Sequence, residues 1–215
     1  MFSSFSDFMK IIQQASYNNK DVEIQQREYL YQGFLKVEKV QVSHRLFNSN
    51  EYIPPIQREL IERRPAAGVL LYNDQQQKFA LIEQFRIGAL NDPDSPWQLE
   101  VIAGVLDGNE SPEDCIRREA LEESGCELKD LQFLYSFYPS AGACSEMFHL
   151  FVAQADLPVQ GGVHGMPEEG ENIQLHVFDY THLPELFRNH RLRNAPVIMA
   201  LQWLQQHIAT TASKE

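Results

Sequence analysis

The sequence predicts an α/β chain, a mixed sheet covered by helices on both faces. Three observations carry this. Short apolar runs of strand length, several of them alternating, fill the region from Val22 to Ala103. A single acidic segment with helical signals, Ser111 to Gly125, interrupts them. Helical periodicity closes the chain, with Val197, Leu201, Leu204 and Ile208 on one stripe. Strands followed late by helices bury their apolar faces most simply as a sheet between helical layers.

Taken in order, Ser3 to Gln14 places Phe5, Phe8, Met9 and Ile12 at helical spacing. This predicts a short amphipathic helix packed on the fold, since it lacks the basic face of membrane-surface helices. Tyr17 to Asp21 is polar and reads as a linker. Val22 to His44 is strand-like. Leu35 and Val37 alternate, then the phase shifts to Val40 and Val42, which predicts a bulge or bend at that point. Pro54-Pro55 breaks the chain before the alternating Arg58 to Arg64. Ala67 to Tyr72 and Phe79 to Phe85 flank Asn73-Asp74-Gln75 as a hairpin. After the loop Asp92 to Pro96, Trp97 to Ala103 returns as one strand. Beyond the acidic helix, Leu131 to Tyr138, Met147 to Ala153 and Ile173 to Phe178 read as strands, the last preceded by a Gly/Pro-rich loop from Leu157 to Gly170. Helices are expected near His182 to Arg188 and Ala195 to Ile208.

Composition narrows the function. With 215 residues the chain is long enough for one substantial core and a small appended element. A net charge of −12 argues against nucleic-acid binding, which needs clustered Lys and Arg, but not against a phosphate substrate held through a cation. Three cysteines, Cys115, Cys126 and Cys144, form no CxxC pair, and no secretory signal is visible. Together these predict a cytoplasmic protein without a disulfide framework or structural zinc. No apolar run is long enough to span a bilayer. The seven histidines have no metal-ligand spacing, no GxSxG elbow is present, and Cys144 has no evident base partner.

The acidic helix carries the chemistry. Ser111 is an N-cap, Pro112 suits the first helical position, Asp114 lies three residues after the cap, and Gly125 suits the left-handed residue that ends a helix. Glu119, Glu122 and Glu123 fall within one arc of about 100°. Cys115 and Ile116 share that arc, whereas Arg117, Leu121 and Ser124 lie roughly opposite. Three acids on an inward stripe repel one another unless something positive sits among them. Arg118 neutralises part of that charge, and the rest suits a hard, oxygen-seeking cation, Mg²⁺ with Mn²⁺ as a substitute. Standing alone, such a helix would be read as a surface helix with acidic decoration.

The residues in front of it decide between the two readings. Gly104, Glu110, Arg118-Glu119, Glu122-Glu123 and Gly125, at these separations, resemble the signature of the Nudix hydrolases, with mild departures at Ala120 and Cys126. The resemblance implies a Nudix-like α/β/α sandwich in which the signature forms a strand–loop–helix unit. It also implies two or three cations held by Glu119, Glu122, Glu123 and the Ala103 carbonyl, with Arg118 orienting the glutamates. Metal-bound glutamates are poor bases because the cation holds their lone pairs, so the base is sought elsewhere. Glu168-Glu169-Gly170-Glu171 reads by itself as a solvated turn, yet a mobile loop there would bring a carboxylate over the site on closing.

Beyond the signature the chain resembles the bacterial ADP-ribose pyrophosphatase branch of that family, through Arg27 to Phe34, Arg58-Glu59, Glu83 to Arg86 and Ala195 to Trp203. That resemblance implies Glu169 as general base, with Glu168 its nearest competitor, and Glu171 as a further metal contact. Phe34 and Arg58 would sandwich adenine, one partner being donated by the second subunit of a homodimer. Glu59 and Arg63 would join the substrate contacts, Arg86 would meet a phosphate oxygen, and Glu146 would lie near the terminal ribose. Read without the resemblance, Arg58 and Arg63 belong to a charged strand face and Phe34 to a core. The branch usually carries Ser-Pro-Gly where this chain has Pro139-Ser140-Ala141-Gly142, so that loop is expected to differ in stiffness. The expectation is Mg²⁺-dependent hydrolysis of ADP-ribose to AMP and ribose 5-phosphate. Residues 1–57 would form an N-terminal helix and β-rich dimerisation element, and residues 58–215 the hydrolase domain. Another nucleoside diphosphate derivative such as a nucleotide sugar is the alternative substrate. A non-catalytic ADP-ribose sensor is the alternative class, and the complete set Arg118, Glu119, Glu122 and Glu123 speaks against it.

Overall fold

The structure, a computed structural model, describes residues 14–166, 168 and 170–212. The helix expected from Ser3 lies outside them except for Gln14, and so does Glu169. The chain forms two compact units, Met1–Arg63 with Ser140–Ser145, and Arg64–Pro139 with Glu146–Glu215.

In the first unit, β1 (Val22–Gln32), β2 (Lys36–His44) and β3 (Ile56–Glu62) form an antiparallel sheet in that order. The segment expected to be a plain linker contains a single 3₁₀ turn, Asn19–Asp21. The Asn18 side chain caps it by accepting from the Lys20 N–H, and Tyr17 stacks on Phe47. The bulge expected in β2 is not there. β2 runs in unbroken register with β3, and the extra residues, Gln25 and Leu30, lie on β1. A central strand is bonded on both sides, so an insertion would break two ladders, whereas the edge strand absorbs it against one neighbour. Glu38, buried on β2, is paired with Arg27 at 2.9 Å.

In the second unit, the main sheet runs β10 (Val163–His164), β11 (Ile173–Asp179), β5 (Lys78–Phe85), β4 (Ala66–Asn73), β9 (Phe148–Gln154) and β8 (Lys129–Phe137). β4 is parallel to β9 and antiparallel to β5, so the sheet is mixed. The segment expected as one strand from Trp97 is two. β6 (Trp97–Glu100) pairs with β5; the chain then turns at the buried Val101, and β7 (Ile102–Val105) pairs with β4. That change of partner brings Ala103 and Gly104 beside the acidic helix.

The helix, α1 (Pro112–Ser124), starts and stops on the local signals. The Asp114 N–H donates to Ser111 Oγ at 3.1 Å, and Gly125 ends the helix at φ 69°. Ser124, expected opposite the buried stripe, is itself buried. The chain folds back over the last turn, where the Cys126 N–H donates to Ser124 Oγ and the hydroxyl donates to the Ala120 carbonyl. α1 covers one face of the sheet, with Cys115 and Ile116 packed among Val69, Ile82, Ile173 and Leu175. α2 (Leu183–Arg188) and α3 (Ala195–Ala212) cover the other, with Leu183, Val197, Leu201 and Leu204 against Leu70, Leu81 and Leu150. Among the described helices, α1 and the pair α2 and α3 thus lie on opposite faces of the sheet.

Candidate active site

The site is assembled where β7 passes the inner face of α1. The Ala103 N–H donates to Glu123 Oε2 at 3.2 Å. Glu123 is 2% exposed; burial, and then the nearby Glu119 charge, push its pKa up to about 8. Burial likewise raises the Glu119 carboxyl above its ordinary value. Gly104 is what lets Glu119 lie against the strand. A Cβ at position 104 would stand 1.7 Å from Glu119 Oε1, so only a residue without a side chain leaves that carboxylate its place.

Arg118 ties the acids together. Its Nε and Nη2 donate to the two oxygens of Glu110, each at 3.1 Å, in the fork geometry that suits guanidinium and carboxylate. Its Nη1 donates to Glu119 Oε1 at 2.7 Å and to Glu122 Oε2 at 3.1 Å. Glu110 is fixed in turn by the Asp107 N–H at 3.1 Å, and Arg118 holds its carboxyl below the usual range. Glu110 was visible in the signature spacing, but its part as the anchor of Arg118 becomes evident only here.

Two further groups converge on these carboxylates. The charge of Glu171 raises both Glu119 and Glu123, and the charges of Glu123 and Glu171 both act on Arg86. Arg86, just past β5, donates from Nε and Nη2 to Glu100 Oε2 at 3.0 and 2.6 Å. Burial works against the Arg86 charge, but Glu100 outweighs it and keeps the pKa above its usual value. Glu171 accepts from the Met166 N–H at 3.3 Å, which draws the two sides of the acidic loop together. Ala103, Arg86, Arg118, Glu119, Glu122, Glu123 and Glu171 thus share one neighbourhood. Glu168 is exposed, and Glu169 lies outside the described residues.

The donor set fits a hard divalent cation. It is all oxygen, and two of its carboxylates are buried deeply enough to be pushed towards protonation, a tension that a cation relieves. Among the described residues, however, no three His, Cys, Asp or Glu side chains stand in metal-ligating geometry. Arg118 Nη1 donates to both Glu119 and Glu122.

Four sequence-predicted substrate residues lie in the first unit. Arg58 and Glu59 are on β3, opposite Val40 and Lys39, and Arg58 donates to the Gln57 carbonyl. The Arg63 N–H donates to Ser145 Oγ at 2.9 Å, and Phe34 is 97% exposed in the turn between β1 and β2, not packed in a core. Just after the departing loop the chain is fastened to β3: the Ile61 N–H donates to the Ala143 carbonyl at 2.7 Å, and the Ser145 N–H donates to the Ile61 carbonyl at 3.0 Å. Glu146 precedes β9 in the second unit. All three cysteines are free. Among the described residues, no helix is long and apolar enough to cross a membrane.

Comparison with known proteins places this geometry. A family model described as NUDIX domain matches residues 62–201. The chain is similar to the ADP-ribose pyrophosphatase of Escherichia coli strain K12, 38% identical over 193 residues that cover 90% of this chain and 92% of the relative. It is 35% identical over 196 residues to the ADP-ribose pyrophosphatase of Haemophilus influenzae, covering 90% of each. Similarity to a GDP-mannose pyrophosphatase of Escherichia coli is 33% over 149 residues, 69% of this chain and 77% of the relative. A solved structure described as ADP compounds hydrolase shares the fold, with a TM-score of 0.66 at 20% identity over 91% of this chain and 98% of that one. With its signature helix set against β7 and a family model matched over most of its length, the chain belongs to the Nudix family.

Proposed function

We propose that the chain is an Mg²⁺-dependent pyrophosphatase that hydrolyses ADP-ribose to AMP and ribose 5-phosphate, with Mn²⁺ as a substitute ion. One observation carries the reading: α1 and the loop at Glu171 gather four carboxylates, among them a 2% exposed Glu123 with its pKa near 8, in one field with Arg86. The similarity to two ADP-ribose pyrophosphatases over 90% of the chain supports that substrate above a nucleotide sugar.

In this reading Glu119, Glu122, Glu123, Glu171 and the Ala103 carbonyl hold the cations. Bound there, a divalent cation neutralises oxygen charge on the diphosphate and lowers the pKa of water. Arg118 orients Glu119 and Glu122 through Nη1 while its other edge is forked on Glu110. Arg86 donates to a phosphate oxygen. Glu169 takes the proton of the attacking water as one P–O bond of the anhydride breaks, and Glu168 is its competitor for that part. Glu59, Arg63 and Glu146 complete the substrate contacts. Phe34 and Arg58 hold adenine in a homodimer whose contacts come from residues 1–57, with residues 58–215 as the hydrolase domain. The exposed edge strand β1, which turns Ile24, Leu30 and Tyr31 outward, supports a second copy as its cover.

The test is product release from ADP-ribose and from several nucleotide sugars, with Mg²⁺ and then with chelator. Mg²⁺-dependent turnover that favours ADP-ribose is expected. Preference for a nucleotide sugar would move the substrate, and no release from any of them would favour a sensor. A mass measurement in solution tests the dimer, and a monomer would remove the part given to Phe34.

A further inference from the structure

Glu100 interrupts an otherwise apolar stretch, and its carboxylate is buried at 6% exposure. A buried carboxylate is costly unless paired, and this one has two partners, one on each oxygen. Oε2 accepts both Nε and Nη2 of Arg86, at 3.0 and 2.6 Å. Oε1 accepts Asn194 Nδ2 at 3.0 Å, from the residue that precedes α3. The Arg86 side chain remains 44% exposed while its partner is almost fully enclosed. One edge of the guanidinium is therefore fastened inside the protein, Nη1 is left on the other edge of a side chain still 44% exposed, and the charge lies in the field of Glu123 and Glu171.

From this arrangement we infer that Glu100 is a positioning residue: it holds Arg86 in the orientation that receives the diphosphate, and Asn194 fixes Glu100 from α3. The inference rests on the proposed function, because Arg86 is there taken to meet a phosphate oxygen. An unclamped arginine has several rotatable bonds to freeze when substrate arrives. Clamping its Nε–Nη2 edge beforehand leaves Nη1 aimed, and lowers the ordering cost of each binding event. A carboxylate does this better than an amide, since it adds ion-pair attraction to the hydrogen bonds and accepts on both oxygens, one for Arg86 and one for Asn194.

A double-mutant cycle tests the inference. Glu100→Gln keeps the shape and removes the charge, and it is expected to lower kcat/KM on ADP-ribose by about ten- to hundredfold, with circular dichroism unchanged. On an Arg86→Ala background the same change is expected to cost less than about twofold, because its only route to substrate has gone. A residue with a merely structural role would not show that loss of effect. If Glu100→Gln does not fold, Asn194→Ala replaces it in the cycle, with a few-fold loss expected that likewise disappears on Arg86→Ala. Activity of the Glu100 variant within twofold of the parent, or equal losses on both backgrounds, overturns the inference while the parent still turns over ADP-ribose. A parent that does not turn over ADP-ribose removes the functional reading, and the inference with it.

Discussion

Gly104→Ala separates function from folding at a single atom. Gly104 lies on β7 without a left-handed backbone, so alanine fits its conformation, and the nearest atoms to the added Cβ all belong to the Glu119 side chain. That Cβ would stand 1.7 Å from Glu119 Oε1, 2.2 Å from its Cδ and 2.7 Å from its Cγ, against the 3.4 Å or more of ordinary contact, so the side chain must swing and its carboxylate retreat by about 1.7 Å. A shift of this size in a group that positions the reaction costs on the order of a hundredfold in rate. Stability is expected to stay level, because the unfolded-state entropy that Gly→Ala removes, worth about 0.4–1 kcal/mol, offsets the loosened Glu119–Arg118 pair. The assay is kcat/KM on ADP-ribose at saturating Mg²⁺ beside thermal unfolding of the same sample. A hundredfold loss of activity at an unchanged Tm is expected. Activity within twofold of the parent, or a fall in Tm that accounts for the loss, refutes the reasoning.

Three other substitutions probe the same unit. Folding raises the Glu123 pKa to about 8 from an ordinary value of 4.5, so the native state binds this proton more tightly than the unfolded chain. Its contribution to metal-free stability is full below about pH 4.5 and is lost as pH rises through about 8. In chelator, Tm should fall over that window, and Glu123→Gln should flatten the slope. Mg²⁺ binding should release protons near neutral pH, measurable as a buffer-dependent heat in calorimetry. Arg118→Lys cannot fork onto Glu110 while also reaching Glu119 and Glu122, and turnover should fall about ten- to hundredfold at constant circular dichroism. Gly125→Ala meets no atom within 4 Å but must adopt φ 69°, so it should lower stability by about 1 kcal/mol in denaturant titration and leave kcat alone.

What could be read from the chain beforehand follows the range of the forces involved. The cap at Ser111, the proline after it and the left-handed Gly125 act within a few residues, so the start and end of α1 were legible. So was the hairpin around Asn73, whose turn residues lie beside the strands they join. The break at Val101 was not legible, because leaving β5 for β4 is decided by strands distant in sequence. Nor were the bulges on β1, since the shifted phase of β2 names an irregularity without saying which partner absorbs it. In the site, the acids of α1 follow from helical spacing, while the cradle at Gly104 required knowing that β7 runs against them. Glu100 was not legible as a site residue, because its partners Arg86 and Asn194 lie 14 and 94 residues away. No periodicity connects them.

The central claim, hydrolysis of a diphosphate by metal held on α1, is tested most directly by one comparison. The purified chain and its Glu123→Gln variant are given ADP-ribose with Mg²⁺, and the products are separated by chromatography. The parent is expected to yield AMP and ribose 5-phosphate in equal amounts, and to stop when chelator is added. The variant should keep its fold and lose turnover by orders of magnitude. Near-normal turnover by the folded variant, or product formation that persists in chelator, would contradict the account.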